Sequence, residues 1–97
     1  MNRVDATFKK LKKEDKKAFI AYIAAGDPNL AVTKKLVFEL ESCGADIIEL
    51  GVPFSDPLAD GPTIQAASER ALRNKNVTLD NIISLVKEIR PRTEIPL

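Results

Sequence analysis

Three carboxylates stand close together in the segment ELGVPFSDPLADGPTIQ, residues 49–65. Glu49 directly follows an apolar run, and Asp56 and Asp60 lie in the proline-containing loop behind it. The chain has no histidine, so the commonest acid–base group and metal ligand is absent. We therefore expect no metal site, and we expect any proton chemistry to fall to carboxylates, lysine or tyrosine.

Glu49 belongs to the run ADIIELGV, which is typical of a strand buried on both faces. Side chains alternate along a strand, so Glu49 shares one face with Ile47 and Gly51, whereas Ile48 and Leu50 share the other. A face covered by helices needs apolar residues, which points Glu49 into the interior of a barrel, at the end of its strand where barrel enzymes work. Apolar surroundings disfavour a charged carboxylate, as a general acid requires. From position alone, a carboxylate that pairs with a lysine or reaches water is an equally good interpretation.

Asp56 and Asp60 occupy a loop in which aspartate is common for backbone reasons alone. Taken in isolation, each is better explained by a role in a turn. The loop contains Pro53 and Pro57, and Pro62 follows it. These prolines reduce the number of conformations open to the unfolded chain. They would preorganise a site, although they would stabilise any loop in the same way.

A short amphipathic helix is predicted for residues 2–13, because Val4, Phe8 and Leu11 recur on one helical face. Six lysines lie between Lys9 and Lys17. They could form a basic patch for a polyanion. A solvated helix face is favoured, because two acidic residues interrupt the run and lysine suits the end of a helix.

The apolar segment 18–26 predicts a first buried strand that ends in glycine. Asp27 can cap the next helix, with Pro28 in its first turn. The positions that then keep helical spacing are Val32, Leu36, Leu40 and Cys43. Gly44 ends this helix.

Two further helices follow the carboxylate loop. The first starts near Pro62, and one of its sides carries Ile64, Ala67 and Ala71. The second is capped by Thr78, with Val77 and Ile82 placed as a hydrophobic staple. Its inward positions are Ile82, Leu85, Val86 and Ile89. Pro91 ends it, and TEIPL predicts the beginning of a third strand.

Strands that alternate with helices predict an α/β fold with a parallel sheet. A (β/α)₈ barrel needs roughly 250 residues. We therefore expect residues 1–97 to be the N-terminal part of a TIM (β/α)₈ barrel, with a helix ahead of it and no second domain. They would cover the first two β/α units and the start of the third strand. The alternative is a small three-stranded α/β domain with a frayed tail.

Composition excludes several classes of partner. Fifteen basic and fourteen acidic residues give a net charge of +1, so charge offers no argument for nucleic acid or an anionic membrane. No apolar run is long enough to span a membrane. Cys43 is the single cysteine, so no internal disulfide can form and a cytoplasmic location is expected. Its apolar neighbours predict a buried structural thiol.

The motif LGVPFSDPLADGPTIQ, preceded by GADIIE, resembles the signature of the tryptophan synthase alpha subunit family. The GDP at residues 26–28 after an apolar strand, and the amphipathic helix ahead of that strand, belong to the same pattern. The resemblance spans essentially the whole chain. It implies a (β/α)₈ barrel and a lyase of tryptophan biosynthesis that acts in the cytoplasm.

The reaction implied is the retro-aldol cleavage of indole-3-glycerol phosphate to indole and glyceraldehyde 3-phosphate. By this resemblance Glu49 matches the acid that protonates indole C3, and Asp60 matches the carboxylate that stays ionised beside the ring nitrogen. After it has lost its proton, Glu49 could take the proton of the side-chain hydroxyl. The two carboxylates would need different surroundings, dry for Glu49 and hydrogen-bonded for Asp60.

The resemblance also implies binding roles. Tyr22 would pack against the indole ring and Ile64 would line the pocket, although core packing explains either residue almost as well. Pro53, Asp56 and Pro57 resemble the segment that contacts the beta subunit in an α₂β₂ heterotetramer. No cofactor is expected here, since pyridoxal phosphate belongs to the beta subunit.

The phosphate site of this family comes from late loops of the barrel, outside these residues. The 97-residue piece alone is therefore expected to be inactive. A non-catalytic barrel fragment that acts only as a folding or assembly module remains the alternative function. Another phosphate-binding barrel enzyme would have to share the motif of residues 49–65.

Overall fold

The computed structural model describes residues 2–54 and 59–97. Its helices and strands, in chain order, are α1 (Arg3–Lys13), β1 (Ile20–Ala24), α2 (Leu30–Ser42), β2 (Ile47–Gly51), α3 (Pro62–Leu72) and α4 (Leu79–Ile89), and a 3₁₀ turn follows at Arg90–Arg92. The two strands pair in parallel. The predicted alternation is thus confirmed as far as α4, and the class is α/β with a helix ahead of the first strand. Within the described residues, no helix has the length and apolar character to cross a membrane.

Helix α1 begins after Asn2, whose side-chain oxygen accepts the Asp5 N–H at 2.8 Å. Leu11 is buried, whereas Val4 and Phe8 of the same apolar face are exposed. The six lysines between Lys9 and Lys17 are all exposed. They form a solvated surface, as the favoured interpretation expects.

The hydrophobic core lies between the sheet and the helices on one of its faces. Its main cluster consists of Val37, Ala45, Ile48, Leu85, Ile89 and Ile95. A second cluster, of Ala25, Ala71, Val77 and Ile82, lies around the end of β1. The predicted pair Val77 and Ile82 is therefore packed together, and the Thr78 hydroxyl caps α4 by accepting the Asn81 N–H at 3.2 Å.

The predicted cap of α2 is wrong. The helix is capped by Asn29, whose side-chain oxygen accepts the Val32 N–H at 2.9 Å. Asp27 lies two residues ahead of that cap position, and its carboxylate is engaged in an ion pair with Arg70. The residues that α2 buries completely are Thr33 and Val37.

Cys43 is exposed, which corrects the prediction of a buried thiol. Helix α2 ends at Ser42, and Cys43 is its C-cap residue. Its position is therefore beyond the last helical turn that packs against the sheet. Gly44 follows with φ +105°, the left-handed geometry that ends a helix.

Helix α4 ends at Ile89, and Pro91 lies in the 3₁₀ turn that follows. Residues 93–97 are not a strand in the described structure, unlike the prediction from TEIPL. They nevertheless run beside β2, because the Ile48 N–H donates to the Pro96 carbonyl at 2.9 Å. Pro96 has no N–H to donate in return, which limits the pairing.

Candidate active site

One face of the sheet is covered by helices, and the other carries Glu49. Ile48 is fully buried, and the partly buried Leu50 packs against the core, so these residues make the face that the helices cover. Because side chains alternate, Glu49 lies on the opposite face. The alternation predicted for Ile48, Glu49 and Leu50 is therefore present.

Tyr22 and Glu49 are direct partners in the parallel register of β1 and β2. Neighbouring strands lie about 4.8 Å apart, so these side chains project side by side from the same face. A Cβ atom at Gly51 would overlap the Tyr22 phenol, which shows that the ring leans toward the carboxyl ends of the strands. An aromatic surface and a carboxylate thus stand together where the strands end.

Both side chains are accessible in this chain. Tyr22 is 45% exposed and Glu49 is exposed. The dry setting expected for Glu49 is therefore absent from the 97-residue chain, because the described sheet has two strands and does not close around it. Tyr22 is not packed inside the core.

Asp60 lies just ahead of α3, whose N-cap residue is Gly61. Its backbone carbonyl accepts a 2.8 Å hydrogen bond from the Gln65 side chain, and the Gln65 N–H donates to the Gly61 carbonyl at 3.0 Å. The start of α3 thus fixes the backbone of Asp60, while its side chain is exposed. Ile64 is in the first turn of α3 and is half-buried.

The segment predicted to contact a partner lies just past β2. Pro53 is half-buried, and the neighbouring Phe54 is 63% exposed. Asp56 and Pro57 lie outside the described residues.

The loop after β1 contains a set of contacts that the sequence did not indicate. The Arg70 guanidinium makes a two-pronged ion pair with Asp27, in which Nε donates to Oδ1 and Nη2 to Oδ2, both at 3.0 Å. Its hydrogen bonds to Asp27 and, next, the charge of that carboxylate raise the pKa of Arg70 above its ordinary value. Asn74 donates to the Pro28 carbonyl. Arg70 lies in the last turn of α3, whereas Asn74 lies just beyond the helix, which ends at Leu72. No short-range pattern in the sequence links either residue to this loop.

Two other positions support this loop. Gly26 has φ +90° and lies against Val77, so there is no room for a Cβ atom. The Gly26 N–H donates to the Thr33 hydroxyl at 2.8 Å, and that hydroxyl donates to the Asn29 carbonyl at 3.1 Å. Thr33 is fully buried, so the loop and α2 are joined through a polar group that water does not reach.

Elsewhere the described residues offer less chemistry. A cleft of about 480 Å³ lies at the amino ends of the strands, between α1 and residues 94–96. Lysines and carboxylates line it together, including Lys10, Lys16, Glu41 and Glu94, so its charge does not select an anion. Within residues 2–54 and 59–97, no group of side chains could hold a metal ion.

The family model for the tryptophan synthase alpha chain matches residues 8–97. A curated relative, the tryptophan synthase alpha chain of Geotalea uraniireducens, is 59% identical over all 97 residues. The solved tryptophan synthase subunit alpha of Legionella pneumophila is 45% identical, with a TM-score of 0.94 over 99% of this chain. A tryptophan synthase α₂β₂ complex of Pyrococcus furiosus is 43% identical over 81% of this chain, with a TM-score of 0.75.

The chain spans only part of these proteins. It covers 36% of the Geotalea uraniireducens chain, 36% of the Legionella pneumophila chain and 33% of the Pyrococcus furiosus chain. The fold is accordingly that of one portion of a TIM barrel, with parallel strands alternating with helices. By its sequence and its structure, the chain belongs to the tryptophan synthase alpha chain family.

Proposed function

We propose that residues 1–97 form the N-terminal part of a (β/α)₈ barrel that cleaves indole-3-glycerol phosphate to indole and glyceraldehyde 3-phosphate. They supply the first two β/α units, and further strands supply the rest of the pocket and the phosphate site. The observation that carries the proposal is the pairing of Tyr22 with Glu49 on the face opposite the helices, at the carboxyl ends of parallel strands. Barrel enzymes place their chemistry at that end.

The reaction needs an acid before the carbon–carbon bond can break. Glu49 donates its proton to indole C3, which leaves a cation shared with the ring nitrogen and creates an electron sink. The ionised carboxylate of Asp60 stabilises that positive charge. Glu49, now deprotonated, takes the proton of the side-chain hydroxyl. The electron pair of that O–H bond becomes the aldehyde C=O, and the electrons of the broken carbon–carbon bond restore the indole ring.

Binding and water exclusion are the other requirements. Tyr22 packs against the indole, and Ile64 lines the pocket from the first turn of α3. Glu49 is exposed in the 97-residue chain, so the remaining strands and the bound indole must remove water from it. The 97 residues alone are therefore inactive, and no cofactor takes part in this step.

A beta subunit is the proposed partner, in an α₂β₂ assembly like the one named for the Pyrococcus furiosus relative. The segment that contains Pro53, Asp56 and Pro57 is the proposed contact. Phe54, 63% exposed beside Pro53, offers apolar area of the kind that interfaces bury. Tryptophan biosynthesis of this type is cytoplasmic, and pyridoxal phosphate belongs to the partner.

The test is release of indole from indole-3-glycerol phosphate by the full-length chain that carries these residues. We expect Glu49→Gln to lower kcat by about 10²–10⁴-fold, the usual range for a general acid. Asp60→Asn should lower kcat by about 10²–10³-fold, because it removes a charge aimed at the developing cation. The matched controls are Glu39→Gln on α2 and Asp80→Asn on α4, both exposed, which should change kcat less than twofold.

Near-wild-type turnover by Glu49→Gln would refute its role as the acid. The mass of the intact protein separates the barrel enzyme from the assembly module. A chain of more than about twice 10.7 kDa agrees with a barrel of roughly 250 residues. A chain of 10.7 kDa would favour a module that pairs with another chain.

A further inference from the structure

Helix α3 carries two of the proposed site residues at one end and the Arg70 ion pair toward the other. Asp60 lies just ahead of its amino end and Ile64 in its first turn, whereas Arg70 lies in its last turn and Asn74 just beyond its carboxyl end. At 1.5 Å per residue, Pro62 and Arg70 are about 12 Å apart along the helix axis. A tilt of about 5° at Arg70 would therefore move the amino end by about 1 Å.

Apolar packing holds α3 less firmly than it holds α4. The residues that α3 buries are Ala67, Ser68 and Ala71, all small. The residues that α4 buries are Ile82, Leu85 and Ile89. Small side chains allow close approach, but they bury little area and interlock weakly. The tilt of α3 must then depend more on its polar contacts.

Those polar contacts have a geometry that fixes direction. Asp27 and Arg70 meet through two hydrogen bonds of 3.0 Å, the bidentate arrangement that specifies orientation as well as distance. The Asp27 side chain is 19% exposed and that of Arg70 is 49% exposed. Asn74, four residues further on and just beyond the end of α3, donates to the Pro28 carbonyl. The last turn of α3 and the segment just after it are thus attached to two successive residues of one loop, Asp27 and Pro28.

The loop is itself a firm support. It continues directly from β1, the strand that carries Tyr22 beside Glu49. The Ala25 N–H donates to the Gly51 carbonyl at 2.9 Å, so the loop is also bonded to the end of β2. The Gly26 N–H of the loop also donates to the Thr33 hydroxyl of α2 at 2.8 Å. An ion pair between α3 and this loop therefore fixes the position of α3 relative to the two strands, one of which carries the proposed acid Glu49.

From these contacts we infer that Arg70, acting with Asp27, is a positioning residue for the lyase site. The pair sets the tilt of α3 and so places Asp60 and Ile64 relative to Tyr22 and Glu49. Arg70 does not touch the substrate in this scheme. The inference rests on the proposed function, because it assigns the pair to the same site.

The principal variants are Arg70→Met, which removes the charge but keeps an unbranched stem, and Asp27→Asn, which keeps the shape. A 1 Å displacement of a reacting group can cost about 10²-fold in rate, so we expect kcat to fall by about tenfold or more in either variant. The double variant should be no slower than the slower single one, since both remove the same interaction. Arg70→Lys, which keeps the charge but loses the fork, should be intermediate.

The control is Arg73→Met on the same helix. Arg73 pairs only loosely with Glu69, at 3.8 Å, and both side chains are at least 70% exposed. The Arg73→Met variant should therefore keep kcat within twofold of the wild-type value. All assays use the full-length chain at a temperature well below each variant's measured Tm, so that lost stability alone does not lower the rate. If Arg70→Met matches Arg73→Met in kcat under these conditions, Arg70 has only a structural role and the inference is overturned.

A second readout separates this inference from the proposed reaction. If the wild-type chain releases no indole, the proposed function fails, and amide hydrogen exchange over residues 61–66 then decides the positioning role. Faster exchange there in Arg70→Met than in Arg73→Met supports the role, because the Gln65 N–H reports the first turn of α3. Equal exchange in the two variants overturns it.

Discussion

The phenol of Tyr22 lies where a side chain of residue 51 would begin, so the glycine at that position determines where the ring can rest. The two residues lie on different strands of the parallel pair. The atoms that would collide are at the far end of the Tyr22 side chain, which is 45% exposed and free to turn away. A new Cβ atom at residue 51 would therefore move the ring and leave the backbone in place.

Gly51→Ala should displace the Tyr22 ring at little cost in stability, within about 1 kcal/mol. Tyr22 is the single tyrosine in this sequence, and there is no tryptophan. Tyrosine fluorescence and the tyrosine ring-proton NMR signals of the chain therefore report this side chain alone, apart from the signals of the four phenylalanine rings. Gly61→Ala is the control, because a Cβ atom there meets nothing within 4 Å. Ring signals that are unchanged in Gly51→Ala would show that the ring does not depend on the glycine.

Gly26→Ala should destabilise the chain more than Gly44→Ala does. Both glycines have positive φ, +90° and +105°, so alanine at either site costs roughly 1–2 kcal/mol of backbone strain. At Gly26 the new methyl group also meets Val77, and overpacking adds about 1–3 kcal/mol. Gly44 has open space around it. Urea unfolding measures the difference, and the double variant Gly26→Ala/Val77→Ala should lose less stability than the two single losses added together, because the two sites are in contact. Equal losses at both glycines would contradict this account.

Thr33→Val tests the buried hydroxyl between the β1 loop and α2. Valine keeps the shape but leaves the Gly26 N–H without its acceptor, so we expect a loss of about 1–3 kcal/mol in the free energy of unfolding. Thr7→Val is the control. The Thr7 hydroxyl donates to the Arg3 carbonyl within exposed α1, where water can replace it, and the expected change is below about 0.5 kcal/mol. Equal effects of the two variants would argue against a structural role for the Thr33 hydroxyl.

Ile89→Ala and Ile83→Ala compare two isoleucines on α4. Ile89 is fully buried in the main cluster, and its truncation should cost about 2–5 kcal/mol. Ile83 is 47% exposed, so the same change there should cost less than about 1 kcal/mol. Thermal and urea unfolding of both variants give the comparison. A cost at Ile83 equal to that at Ile89 would mean that α4 packs through a different face.

The ion pair between Arg70 and Asp27 is a contact that the sequence did not predict. Asp27 was expected to cap α2, which is a local role and the commonest one for aspartate before a helix. Its actual partner is 43 positions away. No short-range pattern in the sequence links the two.

The sequence by itself determined what depends on neighbours in the chain. Alternation predicted that Glu49 and Ile48 face opposite sides, helical spacing predicted the buried side of α4, and Thr78 marked where α4 begins. These features come from backbone geometry and from hydrogen bonds over a few residues, so the order of residue types is enough to infer them.

Only the tertiary structure decided the contacts made across the fold. It put the Tyr22 ring over Gly51, joined Asp27 to Arg70 and left Cys43 at the surface. In place of the predicted third strand, it set residues 93–97 beside β2, with the Ile48 N–H bonded to the Pro96 carbonyl. Each of these depends on how helices and strands from distant parts of the chain pack together. Many local sequences are compatible with each such contact, so a short pattern of residues does not predict any of these contacts.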